Sequence, residues 1–410
     1  MNPQILFYTL IGIIVVKFIF DTILNANNAK HFNDKIPEEL DGIYNDEEYL
    51  KSQEYKKENY KFSLITSSFS VLLTISFFFF KGFAYVDNIA RDISNNTILI
   101  TLIFFGIILF ASDILTLPLS YYKTFVIEEK YGFNKSTFKT FILDKIKGWL
   151  MMVIIGGGIL ALLVWFYQLT TTNFWLYAWG LIAIFTIFMN LFYSKLIVPI
   201  FNKQTPLEEG ELKNAIDKFG KKVGFKLNNI FVIDGSKRST KANAYFSGFG
   251  SQKRVTLYDT LINDLDTDEI VAVLAHEIGH YKKKHIIYNL IMSLALTGFT
   301  FYILSLFVGN NLLSQALSVN ITSFHIGLIA FGILYSPISE ITSLFMNILS
   351  RKFEYQADDY AKNNFNGNAL ISSLKKLSKN SLSNLTPSSL YVKFHYSHPT
   401  LLDRILNLKK

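Results

Sequence analysis

Seven long apolar stretches limit what this chain can fold into more than any other feature of its sequence. Each is long enough to cross a hydrocarbon core of about 30 Å as a helix. Inside a bilayer every backbone polar group needs a partner within the protein, so stretches of this length predict membrane-spanning helices. The predicted spans lie near residues 4–24, 62–86, 98–122, 147–168, 174–198, 286–308 and 324–349.

Lysine and arginine are unevenly distributed among the segments between these spans. The basic-rich segments are 26–61, 123–147, 195–285 and 350–410, with 6, 6, 15 and 10 basic residues. The three segments that alternate with them contain a single basic residue, Arg91. The positive-inside rule therefore predicts that the N-terminus lies outside and that the long segment and the C-terminal tail lie in the cytoplasm.

The composition narrows the chemistry that is available to the chain. Half of the residues are hydrophobic and there is no cysteine, which excludes disulfides, thiolate metal sites and a cysteine nucleophile. A metal ion would need His, Asp or Glu ligands. The net charge of +8 is attributed to cytoplasmic loops, and no nucleic-acid partner is predicted because no nucleic-acid-binding motif is present.

The ionisable residues inside predicted spans include Lys17, Asp21, Asp113 and Glu340. Lys17 and Asp21 are four residues apart and can pair, whereas the other two have no obvious partner in the sequence. Charged groups inside a bilayer usually face a protein interior or water. A water-filled chamber or a transport pathway would each accommodate them.

Residues 199–285 read as a small soluble lobe of mixed α and β structure. The pattern predicts a helix over 211–223 and strands at 229–233 and 254–258. Another helix is predicted from about 267, with Asp266 as its N-cap and Glu269 closing a capping box. The predicted fold class is mainly α, with a membrane domain at 1–200 and a metallopeptidase domain at 201–410 that contains this lobe, two further spans and a C-terminal segment.

The second of these helices contains the sequence His276-Glu277-Ile278-Gly279-His280. Residues four apart lie on one helix face, so the imidazoles of His276 and His280 can reach one metal ion. Zinc accepts such nitrogen ligands and keeps one position open in catalytic sites. Glu277 lies between the ligands and is predicted to act as the general base. The alternative is a pair of solvated histidines on a helix surface.

A catalytic zinc needs a third protein ligand, and an acidic candidate follows the seventh span. Glu354 and Asp358 are again four residues apart. We predict that Glu354 is the third ligand and that Asp358 orients a ligand imidazole. The alternative is a charged amphipathic helix that pairs with Arg351 and Lys352. The metal motif thus has two half-sites, His276–His280 before the sixth span and Glu354–Asp358 after the seventh. The charge pattern puts both at the same, cytoplasmic membrane face, which favours the metal site. The argument is most direct if a helix continues from each span to its ligands.

These residues resemble the type I CAAX prenyl endopeptidases, which are integral-membrane zinc proteases of the gluzincin kind. The resemblance covers about 120–405 through motifs and the whole chain through the seven-span layout. Besides the metal helix and the Glu354 stretch, the motifs are EEKYGFN at 128–134, PLEEGEL at 206–212, NAYF at 243–246, HYSHP at 395–399 and LLDR at 401–404.

The resemblance implies a zinc ion at the cytoplasmic mouth of a water-filled intramembrane chamber. It implies that Asn243 holds the substrate backbone beside an edge strand and that His398 stabilises the oxyanion. It implies prenylated proteins with Cys-aliphatic-aliphatic-X tails as substrates, together with some membrane-associated peptides. The residue composition and short outer loops favour a bacterial cell membrane; in a eukaryote the corresponding location would be the endoplasmic reticulum.

Two other functions remain open from the sequence. One is a quality-control protease for damaged membrane proteins, which some proteins with this metal motif are, although they have fewer spans. The other is a transporter or scaffold with a structural zinc. A structural site fills its fourth position with protein, whereas three ligands with a competent base between them favour catalysis.

Overall fold

The structure, a computed structural model, describes residues 2–170, 173–225, 229–248 and 253–410. Within them, the helices of the N-terminal half are α1 (Pro3–Lys30), α2 (Asp46–Phe79), α3 (Gly82–Ile93), α4 (Thr97–Tyr122), α5 (Phe138–Met151), α6 (Gly157–Leu169), α7 (Phe174–Leu196) and α8 (Val198–Phe201). Wider π turns, Lys123–Glu128 and Met152–Gly156, extend α4 and join α5 to α6.

The helices of the C-terminal half are α9 (Glu211–Lys222), α10 (Asp259–Asp264), α11 (Thr267–Lys282), α12 (His285–Phe307), α13 (Asn311–Ala316), α14 (Phe324–Asn364), α15 (Gly367–Asn380), α16 (Ser389–His395) and α17 (Leu401–Lys409). The strands are β1 (Gln204–Pro206), β2 (Ile230–Ile233), β3 (Ala244–Ser247) and β4 (Arg254–Tyr258).

The prediction of seven spans is confirmed: among the described residues, seven helices are long and apolar enough to cross a membrane. They are Pro3–Lys30, Asp46–Phe79, Thr97–Glu128, Phe138–Leu169, Phe174–Phe201, His285–Phe307 and Phe324–Asn364.

The second predicted span, 62–86, is wrong at its far end. Lys81 has a left-handed backbone conformation with φ of 54°, which ends α2 and lets the separate helix α3 begin at Gly82. The apolar residues that follow Lys81 therefore belong to α3. That helix buries Phe83, Val86 and Ala90 against its neighbours.

The charged residues inside the spans have partners, some of them distant in sequence. The Lys17 ammonium lies 3.3 Å from Asp21 and 2.7 Å from Glu340, so it joins α1 to α14. Asp113 accepts hydrogen bonds from Lys145 at 2.7 Å and Trp149 at 2.8 Å. These ion pairs compensate the cost of placing charges within the membrane domain.

Two adjoining cavities, each lined by polar and apolar side chains, lie between the membrane helices and the C-terminal segment. The larger has a volume of about 760 Å³ and is lined by residues of α1, α2 and the 378–401 segment. The smaller, of about 540 Å³, extends between α1, α2 and α14. Asn25, Ser63 and His395 line both cavities, so the space continues from the C-terminal segment into the helix bundle.

The lobe contains a four-stranded sheet in the order β1-β2-β4-β3. β2 and β4, which correspond to the two predicted strands, pair in parallel, and β1 and β3 add antiparallel edges. Ile216, Leu257, Leu274 and Ile278 are fully buried where the sheet packs against α9 and α11. The edge strand β3 lies in contact with α11, the helix that carries the two histidines.

The two half-sites of the metal motif connect differently to the membrane. α14 continues from the seventh span through Glu354 as one helix, although Pro337 lies inside it. α11 does not continue into the sixth span: it ends at Lys282, and Lys284 is left-handed with φ of 61°. The expectation of a continuous helix is therefore right for Glu354 and wrong for His280.

Candidate active site

The two helices of the site cross in close contact at Gly279. A Cβ atom at this position would lie 3.0 Å from Tyr360 Cβ and 3.1 Å from both Cα and O of Ala357. Such distances are tighter than ordinary packing allows, so the absence of a side chain at Gly279 lets the backbones of α11 and α14 approach. The residues on either side of this crossing, His276, His280 and Glu354, are thereby brought together.

The three predicted ligands present their atoms to a common point. The Nε2 atoms of His276 and His280 lie 3.1 Å apart. Glu354 Oε2 lies 3.4 Å from His276 Nε2, and Glu354 Oε1 lies 3.2 Å from His280 Nε2. Tetrahedral zinc with bonds of about 2.0–2.1 Å separates its ligands by about 3.3 Å. The geometry of these three residues therefore fits a zinc ion.

The environment of Glu354 also fits a cation. Its side chain is only 5% exposed, and its Oε2 atom lies 3.4 Å from His276 Nε2 and 3.6 Å from Arg404 Nη1 without a well-formed hydrogen bond from the described residues. A buried carboxylate oxygen that lacks such a bond is costly, and a bound cation would satisfy it. Zinc is the metal that two imidazoles and a carboxylate with an open fourth position suit best.

Asp358 and Arg404 form a buried pair behind His276. Asp358 Oδ1 lies 2.8 Å from His276 Nδ1, which leaves Nε2 turned to the ligand group. Arg404 donates two hydrogen bonds to Asp358, from Nε at 2.9 Å and from Nη2 at 2.6 Å. Burial lowers the pKa of His276, but the adjacent carboxylates of Asp358 and Glu354 outweigh burial and raise the pKa to about 9. The negative charge of these carboxylates, which favours an added proton on His276, also favours a metal cation bound to this ring.

A second histidine holds His280 in a corresponding way. His280 Nδ1 lies 3.0 Å from His285 Nδ1, and His285 Nε2 lies 2.8 Å from Gln356 Oε1. Because the amide oxygen can only accept, His285 donates from Nε2, and its Nδ1 then accepts from His280. His285 is 1% exposed and its ring stacks on Phe353 at 4.1 Å. The turn at Lys284 that separates α11 from α12 brings His285 to this place.

The three ligands line a cavity of about 330 Å³, and the predicted residues Glu277, His398 and Asn243 line it as well. Glu277 lies on the exposed side of α11 and is half-buried, next to the ligands. His398 Nε2 lies 3.4 Å from Glu354 Oε1, and its Nδ1 lies 3.0 Å from the Ser397 hydroxyl. Asn243, immediately before β3, accepts a hydrogen bond from the backbone N–H of Ala244 at 2.9 Å. The structure thus brings all seven predicted site residues into one region.

Three residues around the ligands were missed in the sequence analysis: His285, Gln356 and Arg404. Arg404 lies in the LLDR motif, to which no role was given, and His285 follows His280 by five residues, outside helical spacing. Gln356 lies between Glu354 and Asp358 and has no distinguishing pattern. Only the motif around Arg404 carried a signal that could have identified its importance.

The fold and the site together define an integral-membrane metallopeptidase. A family model described as "CAAX prenyl protease N-terminal, five membrane helices" matches residues 25–203, and the model of peptidase family M48 matches residues 206–410. The chain belongs to peptidase family M48, and its predicted resemblance to the CAAX prenyl proteases is confirmed. It is accordingly a metalloendopeptidase, a hydrolase of peptide bonds.

Relatives match over nearly the whole chain. The CAAX prenyl protease 1 homologue of Dictyostelium discoideum is 36% identical, covering 98% of this chain and 96% of the relative. CAAX prenyl protease 1 of Saccharomyces cerevisiae is also 36% identical, covering 97% and 94%. The crystal structure of S. mikatae Ste24p superposes with a TM-score of 0.94 at 34% identity and covers 99% of each chain.

Proposed function

We propose that this chain is a zinc-dependent membrane endopeptidase that cleaves near the C-terminus of CAAX-type prenylated proteins or of other membrane-associated peptides. The observation that carries the zinc assignment is the convergence of His276, His280 and the buried Glu354 carboxylate at tetrahedral spacing. The names of the relatives, which cover almost the whole chain, support the substrate class.

The residues around the ligands support separate roles for Glu277 and His398 in peptide hydrolysis. Bound zinc supplies Lewis-acid activation of a water and of the scissile carbonyl. The Glu277 carboxylate takes a proton from the attacking water and returns it to the departing nitrogen. His398 donates from Nε2 to the carbonyl oxygen as negative charge develops there, while the Ser397 hydroxyl donates to its Nδ1.

The cavity supports an extended substrate with apolar side chains. β3 forms one of the two edges of the sheet in the described residues, so a peptide can add to it as a further strand, with Asn243 contacting its backbone. Leu370, Leu374 and Leu377 of α15 line the cavity together with Val273 of α11. An aliphatic side chain beside the cleaved bond would pack against them.

We further infer that the site faces the cytoplasm, from the alternation of basic-rich and basic-poor segments. The prediction of a bacterial source has no support in the comparisons, because the relatives named above are eukaryotic. In a bacterium the site would face the cytoplasm from the cell membrane, and in a eukaryote from the endoplasmic reticulum. The division into domains at 200/201 likewise stays a prediction.

The test uses protein purified in detergent and two matched peptides, one farnesylated at a Cys-aliphatic-aliphatic-X end and one not. We expect cleavage by the unmodified chain, and the ratio between the peptides measures the importance of the lipid. Glu277→Gln should retain zinc and lose turnover by about 10²- to 10⁴-fold, because only the proton transfer is removed. Glu354→Ala should instead lose zinc, measured as metal content.

Each result bears on a different part of the proposal. Full zinc occupancy in Glu354→Ala would remove Glu354 from the ligand set. Loss of zinc in Glu277→Gln would mean that Glu277 is not simply a base. If the unmodified chain holds zinc and cuts neither peptide, the assigned substrate class is wrong.

A further inference from the structure

The EEKYGFN motif belongs to the membrane domain, yet it contacts the lobe beside the active site. Its last residues form a short antiparallel pairing with 238–240, in which Asn134 faces Ser239. Lys135 donates its backbone N–H to Arg238 O at 3.0 Å, and Thr240 donates to Phe133 O at 3.1 Å. We call the motif and Lys135 (128–135) the clamp loop, because it fastens this part of the lobe to the membrane helices.

Side chains strengthen this attachment at Lys241. Its ammonium donates to Glu128 Oε2 at 2.9 Å and to the Tyr55 hydroxyl at 3.0 Å. Tyr55 in turn donates to Glu128 Oε1 at 2.8 Å. The ammonium also lies 4.2 Å from the centre of the Phe133 ring. Burial lowers the pKa of Lys241, but Glu128 and Tyr55 outweigh it and raise the pKa, so the residue stays charged.

The clamped lysine lies directly upstream of the substrate side of the cavity. Ala242, Asn243 and Ala244 line that cavity, and β3 begins at Ala244. The Lys241 carbonyl accepts a hydrogen bond from Thr260 Oγ1 at 3.2 Å, and the Asn243 carbonyl accepts one from the Tyr258 N–H at 3.1 Å. Only one residue separates Lys241 from Asn243, so a shift of the lysine must move the start of the edge strand.

We propose that Lys241, Glu128 and Tyr55 are positioning residues through which the membrane domain fixes the edge strand β3 for substrate backbone binding. This inference rests on the proposed function, because it takes β3 and Asn243 as the substrate-binding edge. None of the three residues lines the cavity of the metal ligands. They act through the backbone between Lys241 and β3, and their loss should weaken substrate binding without changing the metal site.

Another ion pair between a membrane helix and the C-terminal segment provides a matched control. Lys379 lies 2.9 Å from Glu48 and links α15 to α2, whereas the segment before β3 is held through Lys241. Removing either charge there costs an ion pair that also joins a membrane helix to the part of the chain that carries the site, but at a different place from the clamp. A general loosening of the molecule would therefore appear in Lys379→Met as well as in the clamp variants.

The experiment compares two peptides with the same cleaved bond in the full chain with zinc bound. The long peptide extends several residues upstream, enough to pair along β3, and the short peptide lacks that extension. We expect Lys241→Met and Glu128→Gln to raise KM for the long peptide by about fivefold or more, with kcat, zinc content and KM for the short peptide unchanged.

The effect of the double variant on KM should be clearly less than additive, because both substitutions remove the Lys241–Glu128 interaction, although Glu128→Gln also removes an ion pair with Lys123 at 3.0 Å. Lys241→Arg should keep the KM of the unmodified chain. Tyr55→Phe removes only one hydroxyl and should raise KM for the long peptide by a smaller factor. This variant therefore tests the inference even if the other variants do not fold.

The outcomes separate the possible failures. If the unmodified chain cleaves neither peptide, the proposed function fails and this inference fails with it. If it cleaves both while the clamp variants leave the long-peptide KM unchanged, only the inference is overturned. Equal effects on both peptides, additive effects in the double variant, or the same increase in Lys379→Met would also overturn it, because they indicate a merely structural role.

Discussion

The two histidine ligands are oriented by chemically different partners. His276 faces a carboxylate, Asp358, whereas His280 faces a second imidazole, that of His285. A carboxylate increases the basicity of the ring it contacts and supports a positive charge on it. A neutral imidazole fixes only the tautomer. The two partners should therefore contribute differently to metal binding, and they can be tested separately.

His285 is predicted to hold His280 in the tautomer that leaves Nε2 free for the metal. His285→Leu removes the acceptor and should weaken zinc binding by about 10- to 100-fold. His285→Asn places an amide oxygen near the position of Nδ1 and should restore most of the affinity. The measurement is a competition titration with a chelator. Equal affinity in the Leu variant and the unmodified chain would show that His285 serves packing against Phe353 instead.

The raised pKa of His276 predicts how zinc binding depends on pH. Without metal the pKa is about 9, so the ring is protonated at neutral pH. Metal and proton compete for Nε2, so zinc must displace a proton at any pH below that value. The apparent zinc affinity should rise about tenfold for each pH unit between 6.5 and 8.5. A chelator competition corrected for chelator protonation measures it, and a flat profile would contradict the prediction.

At the scale of elements, the crossing of α11 and α14 at Gly279 sets the metal site. Gly279→Ala would place a methyl group against the backbone of Ala357 and should force the helices apart, at a cost of about 1–3 kcal/mol. We expect lower zinc content and a lower melting temperature. Gly180→Ala is the control, because no atom of the described residues lies within 4 Å of a Cβ there. Unchanged zinc content in Gly279→Ala would show that the site tolerates a wider crossing.

Elements with a strong local signal were predicted well. The spans, helix α9, strands β2 and β4 and the start of α11 follow from apolar periodicity and capping, and Glu269 does accept the Asp266 N–H at 2.9 Å. The break at Lys81 has no such signal, because apolar residues continue on both sides of it. β1 and β3 are short edge strands of three and four residues, and their pairing partners are distant in sequence.

The same distinction applies to the site. His276, Glu277 and His280 follow from spacing within one helix, and Glu354 with Asp358 from spacing in another. Arg404 contacts Asp358, and Gln356 contacts His285. The two residues of each contact lie on different helices and are 46 and 71 positions apart in the sequence. Side-chain spacing along one helix cannot predict contacts that depend on how separate helices pack.

At the scale of the whole molecule, the charge pattern predicts a topology that can be measured directly. The chain has no cysteine, so single cysteines can be introduced and labelled in intact cells or sealed vesicles. Cysteines at Asn95 and Asn320 should react with an impermeant maleimide from outside. Cysteines at Glu54 and Lys410 should react only after the membrane is opened. The reverse pattern would place the candidate site outside and contradict the positive-inside prediction.

The unbroken course of α14 has a mechanical consequence. At 1.5 Å per residue its 41 residues form a rod about 60 Å long, with one end in the bilayer and Glu354 near the other. A membrane that is too thin or too thick for a helix changes its tilt. Pro337 lies inside α14, but residues 338–364 contain no further proline and can turn as one body. A small tilt of this part at the bilayer would displace the third ligand relative to the imidazoles on α11. The thickness of the surrounding lipid is thereby linked to the coordination geometry of the metal, and activity in short-chain and long-chain lipids would reveal that dependence.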